Sequence, residues 1–176
     1  MFQRADQWIE AHRNPGDSSG YAEARGDVAY YGGRWQEARK WYEAGAAALI
    51  APTEVGARTW FRRKAALAAG GDGRADEARR LMRGALDSLR GIPAIHTAFF
   101  DWEKHAWLLF EARLAAVTGD GDRAAHLLRE AITNGDPRDA RIAGAVWSFE
   151  SDYMHDAVWT RIRNNRSYQA VLRGDW

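Results

Sequence analysis

Three stretches of this 176-residue chain carry one ladder of residues at fixed spacing, and that repetition limits the available folds more than any other feature. The rungs are Gly26, Gly33, Ala38, Tyr42 and Gly45; then Ala66, Gly73, Ala78, Met82 and Ala85; then Ala112, Gly119, Ala124, Leu128 and Ala131. Steps of 7, 5, 4 and 3 residues separate them in all three stretches. Two further columns agree. Tyr21, Phe61 and Trp107 stand five residues before the first rung, and Val28, Ala68 and Leu114 stand just after it. Steps of 3, 4 and 7 gather residues on one face of an α-helix, whereas a strand needs steps of two. Each ladder therefore describes a helical hairpin. The small first rung and the Ala and Gly/Ala rungs of the second helix permit close approach, and the glycine ends the first helix. The large residue four after the alanine fills the space between hairpins.

The rest of the chain agrees with a helical reading. Ala, Arg, Glu and Leu dominate, all strong helix formers, and alternating strand patterns are absent. Prolines 15, 52, 93 and 137 each precede a helical stretch, which suits a residue without an N–H in or just before a first turn. Gly and Asp cluster at 14–20, 70–73, 119–122 and 135–137, where turns are expected. Helices are predicted at about 2–13, 20–32, 34–49, 53–69, 74–90, 94–118, 121–134 and 138–154, with a short helical tail to about 172. Connections this short make neighbouring helices antiparallel. The expected architecture is all-α: antiparallel helical hairpins, about 8–10 helices, stacked in a single domain over 1–176 with no interior boundary.

The ladder of small residue, turn glycine, alanine, bulky residue and small residue resembles the tetratricopeptide repeat (TPR). The stretch from Tyr21 to Leu49, with Gly-Gly-Arg-Trp-Gln-Glu-Ala at 32–38, is the nearest match. The resemblance implies a TPR-like α-solenoid with repeats at 20–49, 59–90 and 94–134, a half-hairpin at 1–13 and a cap at 138–176. The sequence departs from the pattern in its period. The alanine rungs lie 40 and then 46 residues apart, against 34 in the family, so helices are extended or a turn is added at about 50–59 and 88–104. Arg25, Ala65 and Glu111 also stand where the family carries a leucine-type residue. In the half-hairpin, Ala5, Ile9 and His12 repeat the second-helix spacing without a first helix. This expects either an unusual cap or a chain cut from a longer array. The tail around Trp159 and Tyr168 resembles the closing segment of bacterial multi-domain TPR regulators.

Several function classes lack support. Twenty-five basic and 24 acidic residues leave a charge of +1, with no field for DNA or an anionic membrane. Zero cysteines remove disulfides, thiolate metal sites and a thiol nucleophile. No apolar run reaches the ~20 residues of a membrane span, and the N-terminus is too polar for a signal peptide, so a soluble cytoplasmic protein is expected. The glycine–aspartate turns lack the Lys-Ser/Thr of a phosphate loop and the acidic spacing of a calcium loop. His96, Asp101 and His105 share one predicted helix, and Asp152, His155 and Asp156 cluster near the tail. Metal sites need three or four convergent ligands and a second shell, so solvated groups are the simpler reading. No catalytic motif occurs, and neither metal nor cofactor is expected. The basic groups Arg62-Arg63-Lys64, Arg79-Arg80-Arg83 and Arg161/Arg163/Arg166 have acidic neighbours, and direct nucleic-acid binding is not expected.

What remains is a non-enzymatic scaffold that binds a protein or peptide, such as the partner-binding or sensory part of a larger regulator. The alternatives are a small-molecule or peptide sensor, or an enzyme using His105 or His155 on a helical scaffold. The TPR resemblance implies a concave binding surface on the first helices. Its expected groove residues are Glu23, Asp27 and Tyr30, then Trp60, Arg63 and Leu67, then Leu109 and Arg113, with Trp102 on the extension of the third first helix. Trp60 and Trp102, of nine tryptophans, either anchor a partner or seal the core between repeats. Glu23 and Asp27 stand where carboxylate-clamping TPR grooves use Lys and Asn. A basic or neutral partner is therefore expected there, and an acidic one near Arg63 and Arg113. The half-hairpin leaves an apolar face through which two copies could associate.

Overall fold

Local chemistry sets where each helix starts and stops. The computed structural model describes residues 2–90, 97–133 and 157–175. Among them lie eight α-helices: α1 (Phe2–Ala11), α2 (Ser18–Tyr31), α3 (Trp35–Ala48), α4 (Val55–Gly71), α5 (Ala75–Arg90), α6 (Thr97–Val117), α7 (Gly121–Thr133) and α8 (Arg166–Arg173). Two 3₁₀ segments, Pro52–Glu54 and Ala157–Ile162, complete the described elements, and there is no strand among them. The ends of α1 to α7 fall within three residues of their predicted positions, and the tail ends in α8 at Arg173 after a separate 3₁₀ segment; the predicted helix at 138–154 lies outside the described residues. The fold class is thus all-α, built from helical hairpins.

The same turn closes α2, α4 and α6. Gly33, Gly73 and Gly119 take φ of 70°, 83° and 86°, a left-handed conformation that a Cβ disfavours. The amide of each glycine bonds back three residues, to Tyr30, Gly70 and Ala116. The next amide, of Arg34, Arg74 and Asp120, bonds back five residues, to Ala29, Ala69 and Ala115 at 2.8–2.9 Å. This paired bond satisfies carbonyls that a helix end leaves without partners. The following helix then starts on a charge-compatible first turn. Arg34 pairs with Glu37 at 3.0 Å, and Arg74 with Glu77 at 2.9 Å, each acid sitting at the positive end of its helix. Side chains also cap α2 and α8, where Asp17 accepts from Gly20 N–H at 2.7 Å and Asn165 from Tyr168 N–H at 2.9 Å.

The surplus residues between repeats appear where the longer period requires them. Between α3 and α4 an extra 3₁₀ turn is inserted, held by Glu54 accepting from Ala51 N–H at 2.7 Å. Arg58 reaches back to the carbonyls of Leu49 and Ala51 at 2.7 and 3.2 Å and closes the linker. In the third repeat, α6 begins ten residues before Trp107 and is the extended element.

The chain packs as two compact units, Met1–Pro93 and Ala94–Trp176. In the first, each of α1 to α5 packs on its chain neighbour. Glycine rungs bring them close. A Cβ on Gly26 would stand 2.4 Å from the Tyr42 ring within the first hairpin, and one on Gly45 would stand 2.4 Å from Phe61 of the next. Trp35 lies over Gly71 in the same way. Helix α1 packs on α2. Ile9 is buried, and Asp6 and Glu10 pair with Arg25 and Arg34. In the second unit α6 pairs with α7, the segment Ala157–Ile162 covers α6, and α8 covers α7. Trp159 stacks on Tyr168 with centroids 5.5 Å apart, closing that core. Among the described residues, no helix is long and apolar enough to cross a membrane.

Two substitutions of the same kind should behave oppositely. Gly26→Ala forces the helices of the first hairpin apart and should cost about 1–3 kcal/mol. Gly84→Ala sits on the exposed face of α5 with nothing near its new methyl and should gain about 0.5–1 kcal/mol. Urea denaturation of both variants measures this; equal effects would refute the close-approach role of Gly26.

Candidate functional site

Glu23 and Asp27 lie four residues apart on α2 and share a face; Trp60 and Lys64 do the same on α4. The four side chains converge. Lys64 Nζ donates to Glu23 Oε1 at 2.7 Å and to both oxygens of Asp27 at 2.8 and 3.0 Å. Trp60 Nε1 donates to Glu23 Oε1 at 2.8 Å, and the Tyr42 hydroxyl of α3 donates to Asp27 Oδ1 at 2.7 Å. The ammonium also lies 5.3 Å from the Trp60 ring centroid and 5.5 Å from that of Tyr42, within cation–π range. Two carboxylates and two aromatic rings thus enclose one ammonium.

The cluster is neither core nor free surface. The Lys64 side chain is 14% exposed, while those of Glu23 and Asp27 are 35% and 37% exposed, so the carboxylates form its open side. Burial alone pushes the Glu23 carboxyl up. Hydrogen bonds from Lys64 and Trp60, with the ammonium's charge, outweigh this and hold it below the ordinary carboxylate value. Glu23 and Asp27 contribute −2 and Lys64 +1, leaving −1 on the cluster.

The other expected groove residues are placed differently. Tyr30, Leu67 and Arg63 are buried at 3%, 1% and 1% exposure, and Tyr30 packs edge-on against Trp35. The Arg63 guanidinium lies 5.8 Å from the Trp60 ring centroid. Leu109 and Arg113 belong to the second unit. Leu109 is partly exposed, and Arg113 is buried over the Phe110 ring. Trp102 lies on α6 with its side chain outside the described residues, as are the side chains of His96, Asp101, His105, Asp152, His155 and Asp156. Among the described residues, no three His, Cys, Asp or Glu side chains are arranged to hold a metal ion.

Sequence reasoning missed Lys64 and Tyr42 as members of the site. Lys64 reads as part of a basic run with Arg62 and Arg63, but each helical residue turns by about 100°. Arg62 accordingly points out and donates to Ser88 Oγ at 2.9 Å, Arg63 points in, and Lys64 faces α2. The available signal was spacing: Lys64 follows Trp60 by four, as Asp27 follows Glu23. Arg79 and Arg80 likewise pair locally, with Asp76 and Glu77. No protein-family model matches the chain, nor does any curated protein or solved structure.

Because the Glu23 carboxyl is depressed in the folded state, its stabilisation is present above the unfolded pKa and is lost as pH falls through the folded one. Glu23→Gln should therefore lower the urea midpoint at neutral pH. The gap to the parent protein should close as pH falls through and below the ordinary carboxylate range. A gap that stays constant with pH would show that Glu23 acts through packing alone.

Proposed function

We propose that this chain is a non-enzymatic scaffold that binds a protein or peptide, with the face of α2 and α4 that carries Glu23, Asp27, Trp60 and Lys64 as its contact surface. The observation that carries the reading is the convergence of these four side chains from the first helices of two successive hairpins. None of these four side chains is a rung of the repeated core, although the rung Tyr42 bonds to one of them, Asp27. The cluster supplies what binding faces are rich in: a tryptophan with a polar handle, held in a fixed orientation by its indole hydrogen bond. The hairpins, with their common turn and small-residue rungs, hold the two first helices side by side, as a TPR-like stack would. The residual charge of −1 favours a basic or neutral partner over an acidic one. A cytoplasmic setting fits this reading.

Affinity capture from the source lysate tests it, using the parent chain, Trp60→Ala and Glu23→Gln, each checked for helicity by circular dichroism. A partner retained by the parent and reduced at least about tenfold on both variants is the expected result, since a central aromatic contact carries about 2 kcal/mol or more. Identical partner lists from all three chains would refute the assignment of this face.

A further inference from the structure

Helix α1 precedes and packs on α2 as α3 precedes and packs on α4, but the two junctions are built differently. By spacing, Ala5, Ile9 and His12 match Ala38, Tyr42 and Gly45, Phe2 matches Trp35, and Tyr21 and Tyr31 match Phe61 and Gly71. At the α3–α4 junction a ring meets a glycine twice: Phe61 lies over Gly45, and Trp35 over Gly71. At the α1–α2 junction His12 and Tyr31 stand in place of both glycines. His12 stacks instead on Trp8 of α1 with centroids 4.3 Å apart, and Phe2 and Tyr31 stay 40% and 44% exposed. Of α1 only Ile9 is buried. The remaining hold is ionic. Glu10 accepts from the Tyr21 hydroxyl at 2.5 Å and pairs with Arg25 at 3.0 Å. Asp6 pairs with Arg25 and Arg34 at 3.5 and 3.3 Å. Glu37, near the start of α3, meets the same two arginines at 3.7 and 3.0 Å.

We propose that α1 is an ionic strap over the first hairpin, which salt loosens and which opens as a unit while α2 to α5 stay folded. Three features carry this. Lifting α1 returns two carboxylates and one buried aliphatic side chain to water, and it breaks no ring-on-glycine contact. The arginines keep a counter-charge, because Glu37 stays with them when Asp6 and Glu10 leave, so opening strands no charge without a partner. The connection at 12–17, with Asn14, Pro15 and Gly16, is exposed throughout, and Asp17 caps α2 without help from α1. Salt distinguishes this junction from the others, since it screens ion pairs near the surface and leaves close apolar packing intact. Opening bares Tyr21 and Arg25, which both pack on the Trp41 ring, at 5.6 and 5.2 Å from its centroid. That end of the first unit then offers a guanidinium beside aromatic rings in place of two carboxylates.

Amide hydrogen exchange on the full chain tests this, because it reads the opening of each helix separately. Between about 0.01 M and 1 M sodium chloride the screening length falls from about 30 Å to about 3 Å. Over that range the protection of residues 6–11 should fall at least about threefold, and that of α3 by less than about 1.5-fold. Residues 6–11 should lose protection together, as a unit does. Arg25→Gln should lower the protection of α1 at low salt and flatten its salt response, leaving α3 within about twofold of the parent. Glu10→Gln, on the exposed side of the junction, should act in the same direction more weakly and serves if Arg25→Gln disturbs Trp41. The proposal is overturned if α1 exchanges only when α3 does, or if its protection grades from the first residue as in simple fraying. It is equally overturned if residues 6–11 are unprotected at low salt, or if their protection ignores salt, which would assign the junction to Ile9.

Discussion

A methyl group on Gly26 would stand 2.4 Å from the ring of Tyr42, and one on Gly45 as close to Phe61. No carbon approaches an aromatic ring so nearly, so the first unit depends on hydrogen atoms at those two places. One lets α2 and α3 close on each other within the hairpin, and the other lets the next hairpin close on the first. The Tyr42 ring, drawn in by Gly26, is what lets its hydroxyl reach Asp27. The packing rung and the polar cluster therefore share a residue. A tyrosine there serves both purposes where a methionine or leucine, found at the matching places in the other repeats, would serve only the first.

The repeat was legible because its rungs answer to local rules. Ala38, Ala66, Ala78, Ala85, Ala112 and Ala124 are completely buried, and the three turn glycines adopt the one backbone conformation that favours them. Helix limits followed, since the same turn chemistry writes both ends. The site was less legible. Glu23, Asp27 and Trp60 were expected from the TPR resemblance, and they meet in one cluster, but one face of a first helix is shared between surface and core. How far round that face the surface extends depends on how the next hairpin stacks. Tyr30, three residues after Asp27, and Leu67, three after Lys64, fall on the core side of that line. A helical wheel cannot draw it, because the dividing angle is a property of two helices.

Charge shows the same limit. Arg62, Arg63 and Lys64 are one basic run in sequence and three environments in space: a surface hydrogen bond to Ser88, a buried guanidinium by Trp60, and a caged ammonium. The acids expected to face a partner as two negative charges instead spend one of them on a lysine four residues beyond Trp60. Net charge near a binding face is set by which side chains meet, and adjacency along a helix is a poor guide to that.

The turns at Gly33, Gly73 and Gly119 carry a consequence for how the chain reaches this structure. Each joins two helices through a few residues, with hydrogen bonds that span only three and five positions. Each hairpin in the first unit then meets partners next to it along the chain. Closing such short loops loses little chain entropy, so low contact order should make folding fast and hairpin-wise. The caged lysine is an exception to that locality, joining residues 37 and 41 positions apart. Trp35 over Gly71 spans a similar 36 positions, so contacts between successive hairpins should form after the hairpins themselves.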